Sequence, residues 1–365
     1  MEYPLVSVVI PVYNMEPFLG ETLDSVLASD YPSLEVVVLD DGSVDASYAL
    51  ARQYAEKDGR VHVYTQLNMG VSAARNRAIS LAKGEFILPV DADNKISREF
   101  IHNAVNVILQ DEEVKVVSPR AEFFGNRSGE WKLPPFSLKL LARKNIMDTC
   151  ALYRKSDWER VGGYNEDIIA REDWEFWIAL LKDGGKVIKL PDVSLYYRVR
   201  SNSKRMTDRS QKKHVINVLN QRHPDFFERE LGGPLRYRRT WSQLINKAYR
   251  LFHPSVSLVG ENYVDFSYWV KALPFCFGDS FGSLIYKGRN ELREYNYKGK
   301  DLVIKSFAKP NLINRIVYGL FRSSKAQRSY EYADMLLKAG IGTPEPVGYC
   351  TERIGLLFTR SYYIS

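Results

Sequence analysis

Two aspartates one residue apart, Asp91 and Asp93, close the apolar run FILPV. Carboxylate oxygens are hard donors that suit Mg²⁺ or Mn²⁺, ions that keep waters and bind phosphate oxygens as well. A second acidic pair, Asp40 and Asp41, ends the run LEVVVL and is followed by Gly42 and Ser43. An Asp at such a place accepts a hydrogen bond from a nucleobase N–H, or simply shapes an Asp-Gly turn. A third pair, Glu172 and Asp173, precedes Trp174, Phe176 and Trp177. Carboxylates there favour a helix start. Set against those rings, one of them would have a pKa raised toward values useful to a general base. Arg75, near a helix start, is of a type that pairs with phosphate. A held diphosphate, a held nucleotide and a base for an acceptor hydroxyl are what glycosyl transfer from a nucleotide sugar requires.

These groups need elements to position them. Leu5–Val12 and Leu34–Leu39 are short β-branched apolar runs, which predict buried parallel strands. Val61–Tyr64 and Phe86–Val90 add two more strands. Helical periodicity covers Glu16–Ala28, Ser47–Glu56 and Ser72–Ala82. Alternating strands and helices predict an α/β domain with a largely parallel sheet, where ligands sit beyond the carboxyl ends of the strands. The first two acidic pairs fall at such ends.

In order, the runs VSVVIPVYN, VVVLDDGSVD, NMGVSAARN, ILPVDAD, GGYNED and ARED resemble family 2 glycosyltransferases of the GT-A fold, a Rossmann-like, mostly parallel sheet flanked by helices. The resemblance covers about residues 5 to 200. It implies that Pro11, Tyr13 and Asp41 hold the nucleobase, with Asp40 supporting that pocket. Arg75 would lie along the nucleotide and its phosphates. Asp91 would contact ribose or sugar and share Mn²⁺ or Mg²⁺ with Asp93. Asp173 would be the general base of an inverting displacement, with Glu172 touching acceptor or sugar. The donor would be a UDP- or GDP-linked sugar and the acceptor a saccharide or a lipid-linked glycan, in cell-surface polysaccharide or lipopolysaccharide synthesis. One departure stands out: many relatives carry a His where this chain has Arg200. An Arg cannot ligate a metal but can clamp a diphosphate, so Arg200 is either a phosphate contact or a solvated loop residue. Trp131, Phe136, Tyr153 and Trp158 fall in the stretch that shapes the acceptor side of this fold, where core packing is the default for each.

The 365-residue chain carries a net charge of +7. Between Lys204 and His253 stand twelve Lys/Arg against four Asp/Glu, so one segment holds the whole surplus and a general nucleic-acid coat is disfavoured. Within it, LRYRRTWSQLINKAYRLF (residues 235–252) predicts a basic amphipathic helix. Its apolar face either packs between domains or lies on anionic lipid. Three separated cysteines favour a reducing, cytoplasmic compartment, peripheral to the inner membrane face if the lipid reading holds. No apolar run reaches the roughly 18 residues of a membrane span, and the N-terminus lacks the features of a signal peptide.

Beyond Tyr263, strand-like pieces (Gly282–Tyr286, Asp301–Phe307), a helical stretch (Ser324–Ala339) and a GIGTP turn resemble the N-lobe of lipopolysaccharide (Kdo) kinase-like proteins. The resemblance matches Lys305 to the strand lysine and Glu331 to its helix partner. No catalytic-loop or metal-binding aspartates follow, so phosphoryl transfer by this part is not expected. The expected organisation is a GT-A domain (1–203), a basic helical extension (204–262) and a small α+β kinase-like fragment (263–365). Two other function classes fit parts of the pattern. A nucleotidyltransferase would need a Gly-rich basic loop that residues 11–20 (PVYNMEPFLG) lack. A non-catalytic membrane adaptor would use only the basic helix and the C-terminal fragment.

Overall fold

The computed structural model describes residues 3–168, 170–200, 208–278 and 281–365. The chain divides into two compact units, Met1–Val215 and Ile216–Ser365. The expected boundary at 203/204 lies outside the described residues.

The first unit begins β1 (Val6–Val12), α1 (Glu16–Leu27), β2 (Leu34–Asp40), α2 (Ser47–Lys57), β3 (Val61–Thr65), α3 (Val71–Leu81) and β4 (Phe86–Pro89). Each lies within about two residues of the sequence expectation. All seven residues of β2 are buried, as are six of the seven in β1. Strands covered on both faces must be apolar throughout, which is why they read as unbroken runs. The unit continues with β5 (Lys95–Ile96), α4 (Phe100–Gln110), β6 (Val114–Gly125), β7 (Gly129–Trp131), α5 (Leu138–Leu141), β8 (Leu152–Arg154), α6 (Lys155–Val161), α7 (Glu172–Leu181) and β9 (Lys186–Val199). Among the described residues the sheet order is β3-β2-β1-β4-β8-β6-β9-β5, with β7 paired to β6. The β3-β2-β1-β4 half is wholly parallel. This is the mixed α/β architecture of GT-A glycosyltransferases. A core of Val8, Ile10, Leu23, Val36, Val38, Phe100 and Ile108 fixes the strand ends in place.

After α8 (Asp208–Arg222), which spans the boundary, the second unit holds α9 (Pro224–Leu231), α10 (Ser242–Phe252), β10 (Ser255–Val259), α11 (Ser267–Cys276), β11 (Ser283–Lys287), β12 (Glu291–Tyr297), β13 (Lys300–Ser306), α12 (Leu312–Leu320), α13 (Lys325–Lys338), β14 (Gly348–Ile354) and β15 (Leu357–Ile364). Its sheet runs β10-β14-β15-β13-β12-β11 and is antiparallel throughout. Trp269 of α11 stacks on Tyr297 (ring centroids 4.8 Å apart) over a core containing Phe266, Phe281 and Ile304.

Two expectations change. Residues 216–262 form no separate extension, because β10 is the edge strand of the second sheet. The basic helix is also shorter than 235–252. Only Ser242–Phe252 is α-helical, after a 3-10 turn at Arg239–Trp241. Among the described residues no helix is long and apolar enough to cross a membrane.

Candidate active site

The carboxyl ends of β1 and β2 are tied to each other. The Asn14 N–H donates to Ser43 Oγ (2.9 Å), and Asn14 Oδ1 accepts from the Val44 N–H (2.9 Å). Pro11, half-buried on β1, and Tyr13, exposed just beyond it, are thereby set beside Asp40 and Asp41. Gly42 makes the turn with φ +75°, and a Cβ there would fall 2.9 Å from the Asn68 backbone N. Only glycine satisfies both constraints. Asp41 accepts from Gln66 Nε2 (2.7 Å) and from the N–H groups of Met69 and Gly70 (both 2.9 Å), so it shapes the 66–70 loop. Asp40 Oδ2 faces the Ser43 N–H and the Thr65 hydroxyl, while its Oδ1 is buried with no protein partner among the described residues.

A second cluster forms around α3 and α7. Arg75 is almost wholly buried. Its guanidinium donates to Asp91 Oδ1 and to Glu172 Oε1, both at 2.7 Å, and lies 5.5 Å from the centre of the Tyr164 ring. The expected phosphate contact is thus also an internal strut between the end of β4 and the start of α7. Next to it, Asn76 accepts from the Tyr164 N–H (2.8 Å) and donates to the Tyr164 carbonyl (2.8 Å) and Glu166 (2.9 Å). Gly163 sits at φ +76°, and a Cβ there would meet Asn76 Oδ1 at 2.7 Å. The runs AARN and GGYNED are spaced as they are because they lock together here.

The start of α7 carries the strongest electrostatic signature. Asp173 Oδ2 accepts from Asn145 Nδ2 at 2.6 Å and Oδ1 from the Trp174 N–H at 2.8 Å. Burial pushes its pKa up to about 7, with help from Glu172 and Asp148. Asp148, more deeply buried, is also raised to about 7, by burial first and then by Asp91. The helix that carries Asp173 is anchored by Trp174 Nε1 donating to the Leu141 carbonyl (2.7 Å) and by Phe176 stacked on Tyr164 (4.2 Å). Just before it, Arg171 holds φ +65°, left-handed backbone that costs a non-glycine residue about 1–2 kcal/mol. Strain of that kind persists only where the surroundings enforce it.

Asp93 makes an ion pair with Arg200 (Nε to Oδ2, 2.9 Å), and its carbonyl accepts from Arg198 Nε (2.9 Å). Burial and the neighbouring Asp91 still lift its pKa to about 6 against those two arginines. Arg200 therefore pairs with an aspartate while its side chain stays partly exposed, its guanidinium 5.2 Å from the centre of the Phe18 ring.

A cavity of about 300 Å³ brings these groups together, lined by Arg75, Asp91, Asn145, Asp148, Glu172 and Asp173 with Trp131 and Tyr197 on one wall. The two rings pack 4.8 Å apart. Asp93 is not on that lining, but its charge acts on Asp148 there. Of the other aromatic residues, Tyr153 is core. Sequence reasoning missed Asn145 and Asp148, which stand on an irregular loop before β8. In the second unit, Lys305 lies 5.2 Å from the centre of the Phe307 ring, and Glu331 accepts from Gln327 one turn earlier on α13. No ion pair joins them among the described residues, so the expected lysine–glutamate pair is not formed.

Carboxylates beyond the ends of parallel strands, with a half-buried aspartate at a helix start across the same cavity, stand on a fold of the GT-A type. The chain belongs to glycosyl transferase family 2, whose model matches residues 7–162. It is 31% identical over 219 residues to the glycosyltransferase EpsJ of Bacillus subtilis (strain 168), which is 55% of this chain and 62% of EpsJ. It is 30% identical over 206 residues to the glycosyltransferase TuaG of the same organism, 55% of this chain and 81% of TuaG. The chain spans less than two thirds of EpsJ's length. Among solved structures, S. aureus TarS 1–349 in complex with UDP-GlcNAc has the same fold. The TM-score is 0.54 at 21% identity, covering 74% of this chain and 79% of that one.

Proposed function

We propose that the first unit is an inverting, metal-dependent glycosyltransferase. It would move a sugar from a UDP- or GDP-linked donor to a saccharide or lipid-linked acceptor in cell-surface polysaccharide or lipopolysaccharide synthesis. Asp173 carries the reading: a half-buried carboxylate on the cavity wall, held by Asn145, with a pKa of about 7. Such a group is half ionised at neutral pH and strong enough as a base to take a hydroxyl proton. The acceptor oxygen attacks the anomeric carbon from the Asp173 side, its proton passes to Asp173 Oδ, and the bond to the diphosphate oxygen breaks on the opposite face. Tyr13, Asp40 and Asp41 would border the nucleobase, and Arg200 the diphosphate.

The donor set fits a hard divalent ion. Asp91 and Asp93 repel each other in a partly buried place, and Asp93 is left with a raised pKa that a cation would relieve. Among the described residues no group of three or more His, Cys, Asp or Glu is placed so as to hold a metal ion by itself, so phosphate oxygens and water would complete the coordination, as Mg²⁺ and Mn²⁺ allow. When bound, the ion would neutralise charge building on the diphosphate. Three free cysteines support a reducing, cytoplasmic setting. For the second unit, an antiparallel sheet with α12 and α13 inserted between β13 and β14 supports the kinase-like N-lobe reading.

The test is incubation with a panel of UDP- and GDP-sugars and Mn²⁺, reading nucleotide release and the anomeric configuration of the product by NMR. Inversion with one donor is expected. Retention would overturn the displacement chemistry, and no release from any donor would overturn the function.

A further inference from the structure

Helix α10 packs against the second unit by its polar side. Ser242 and Asn246 are fully buried. Asn246 donates to the carbonyls of Leu231 (3.2 Å) and Pro234 (3.0 Å) and accepts from Arg236 Nε (2.7 Å). Ser242 Oγ accepts from the Arg236 N–H (2.9 Å). One turn on, Arg250 turns inward onto both Glu228 oxygens (2.8 and 2.7 Å) and Ser255 Oγ (2.6 Å). These bonds fix the rotation of the helix, since turning it over would strand all of these groups.

The opposite side is therefore held outward, and it is apolar. Trp241, Leu244, Leu251 and Phe252 are 56–74% exposed, with Ile245 and Ala248 exposed between them. At 100° per residue, Leu244, Ala248, Leu251 and Phe252 share one face of α10. Arg238 and Lys247 stand exposed at its edges, with no acidic partner among the described residues. From Leu231 to Gly260 the chain has five Lys/Arg and no Asp or Glu.

We infer that this face of α10 is a docking surface for an anionic lipid bilayer. A convex apolar stripe with an aromatic residue and basic edges fits the headgroup boundary, where the stripe enters the acyl region and the cations meet lipid phosphates. A second copy of the chain fits poorly, because symmetric pairing would set Arg238 and Lys247 near their own counterparts with no carboxylate in the segment to offset them. The inference is independent of the transferase reading, as none of these residues borders the cavity described above.

The test is flotation of the full chain with phosphatidylglycerol-containing vesicles and with pure phosphatidylcholine vesicles. Binding to the anionic vesicles is expected, weakened by salt. Leu244→Asp with Leu251→Asp should lower partition at least about tenfold and Lys247→Glu with Arg238→Glu several-fold, at unchanged melting temperature since all four side chains are exposed. Equal partition of wild type and variants would overturn the proposal, as would no binding at all. So would a wild-type dimer that the Leu244→Asp variant converts to monomer, since that result assigns the face to a second copy.

Discussion

Replacing Asn145 with Ala removes one donor from Asp173 and leaves the carboxyl in place. The lost bond is short, 2.6 Å, and goes to the ionisable oxygen pair. A hydrogen bond to a charged group is worth about 1.5–3 kcal/mol, and each pKa unit corresponds to 1.36 kcal/mol. The donor favours the ionised form, so its loss raises the pKa, from about 7 to roughly 8–9. At pH 7 the ionised fraction then falls from about half to between about one tenth and one hundredth, and kcat/KM falls in proportion, roughly 5- to 50-fold. Above about pH 9 most of the rate returns. The assay is the pH profile of kcat/KM for donor turnover in wild type and variant. Asn145 is only half-buried, so the fold should survive the change. A profile lowered equally at every pH, or an acid limb moved to lower pH, would refute the base assignment.

Asp148→Asn should move the same limb the other way, to lower pH, because a like charge beside Asp173 is removed. The same variant bears on stability. A carboxyl raised from an ordinary 3.8 to about 7 favours the fold fully below the lower value and loses that contribution as pH rises through the upper one. The asparagine variant should therefore melt higher than wild type at pH 8, by up to about 4 kcal/mol of stability, and match it near pH 4 in thermal scans. Arg75→Met strands Asp91 and Glu172 without their shared cation and should destabilise the first unit by about 3–5 kcal/mol in urea unfolding. Asp93→Ala should abolish any Mn²⁺-dependent rise in melting temperature with a nucleoside diphosphate, where wild type shows one.

The strands of the parallel half were legible because burial on both faces leaves an apolar run, and the aspartates that end β2 and β4 mark where each run stops. The links between those ends were not. Arg75 reaches Asp91 over 16 residues and Glu172 over 97, and only the folded chain makes them neighbours. Asn145 and Asp148 lie on an irregular loop with no periodicity to flag them, and their importance comes from facing Asp173 across a cavity. For α10, the 3.6-residue pattern revealed an apolar face but not its direction. That direction is set by Asn246 and Arg250, whose partners sit 5 to 22 residues away. Similarly, β10 reads as an isolated SVSLV, and only its pairing with β14 makes it the edge strand of the second sheet.

The central claim is that Asp173 is the group that takes the acceptor proton while other side chains hold the donor. The direct measurement is donor affinity and turnover side by side in Asp173→Asn, an isosteric change whose remaining oxygen can still accept from the Trp174 N–H while its new NH2 group replaces the acceptor of Asn145. The account predicts donor binding within a few-fold of wild type by calorimetry and a loss of transfer of about 10²–10⁴. Transfer at the wild-type rate in that variant would contradict it.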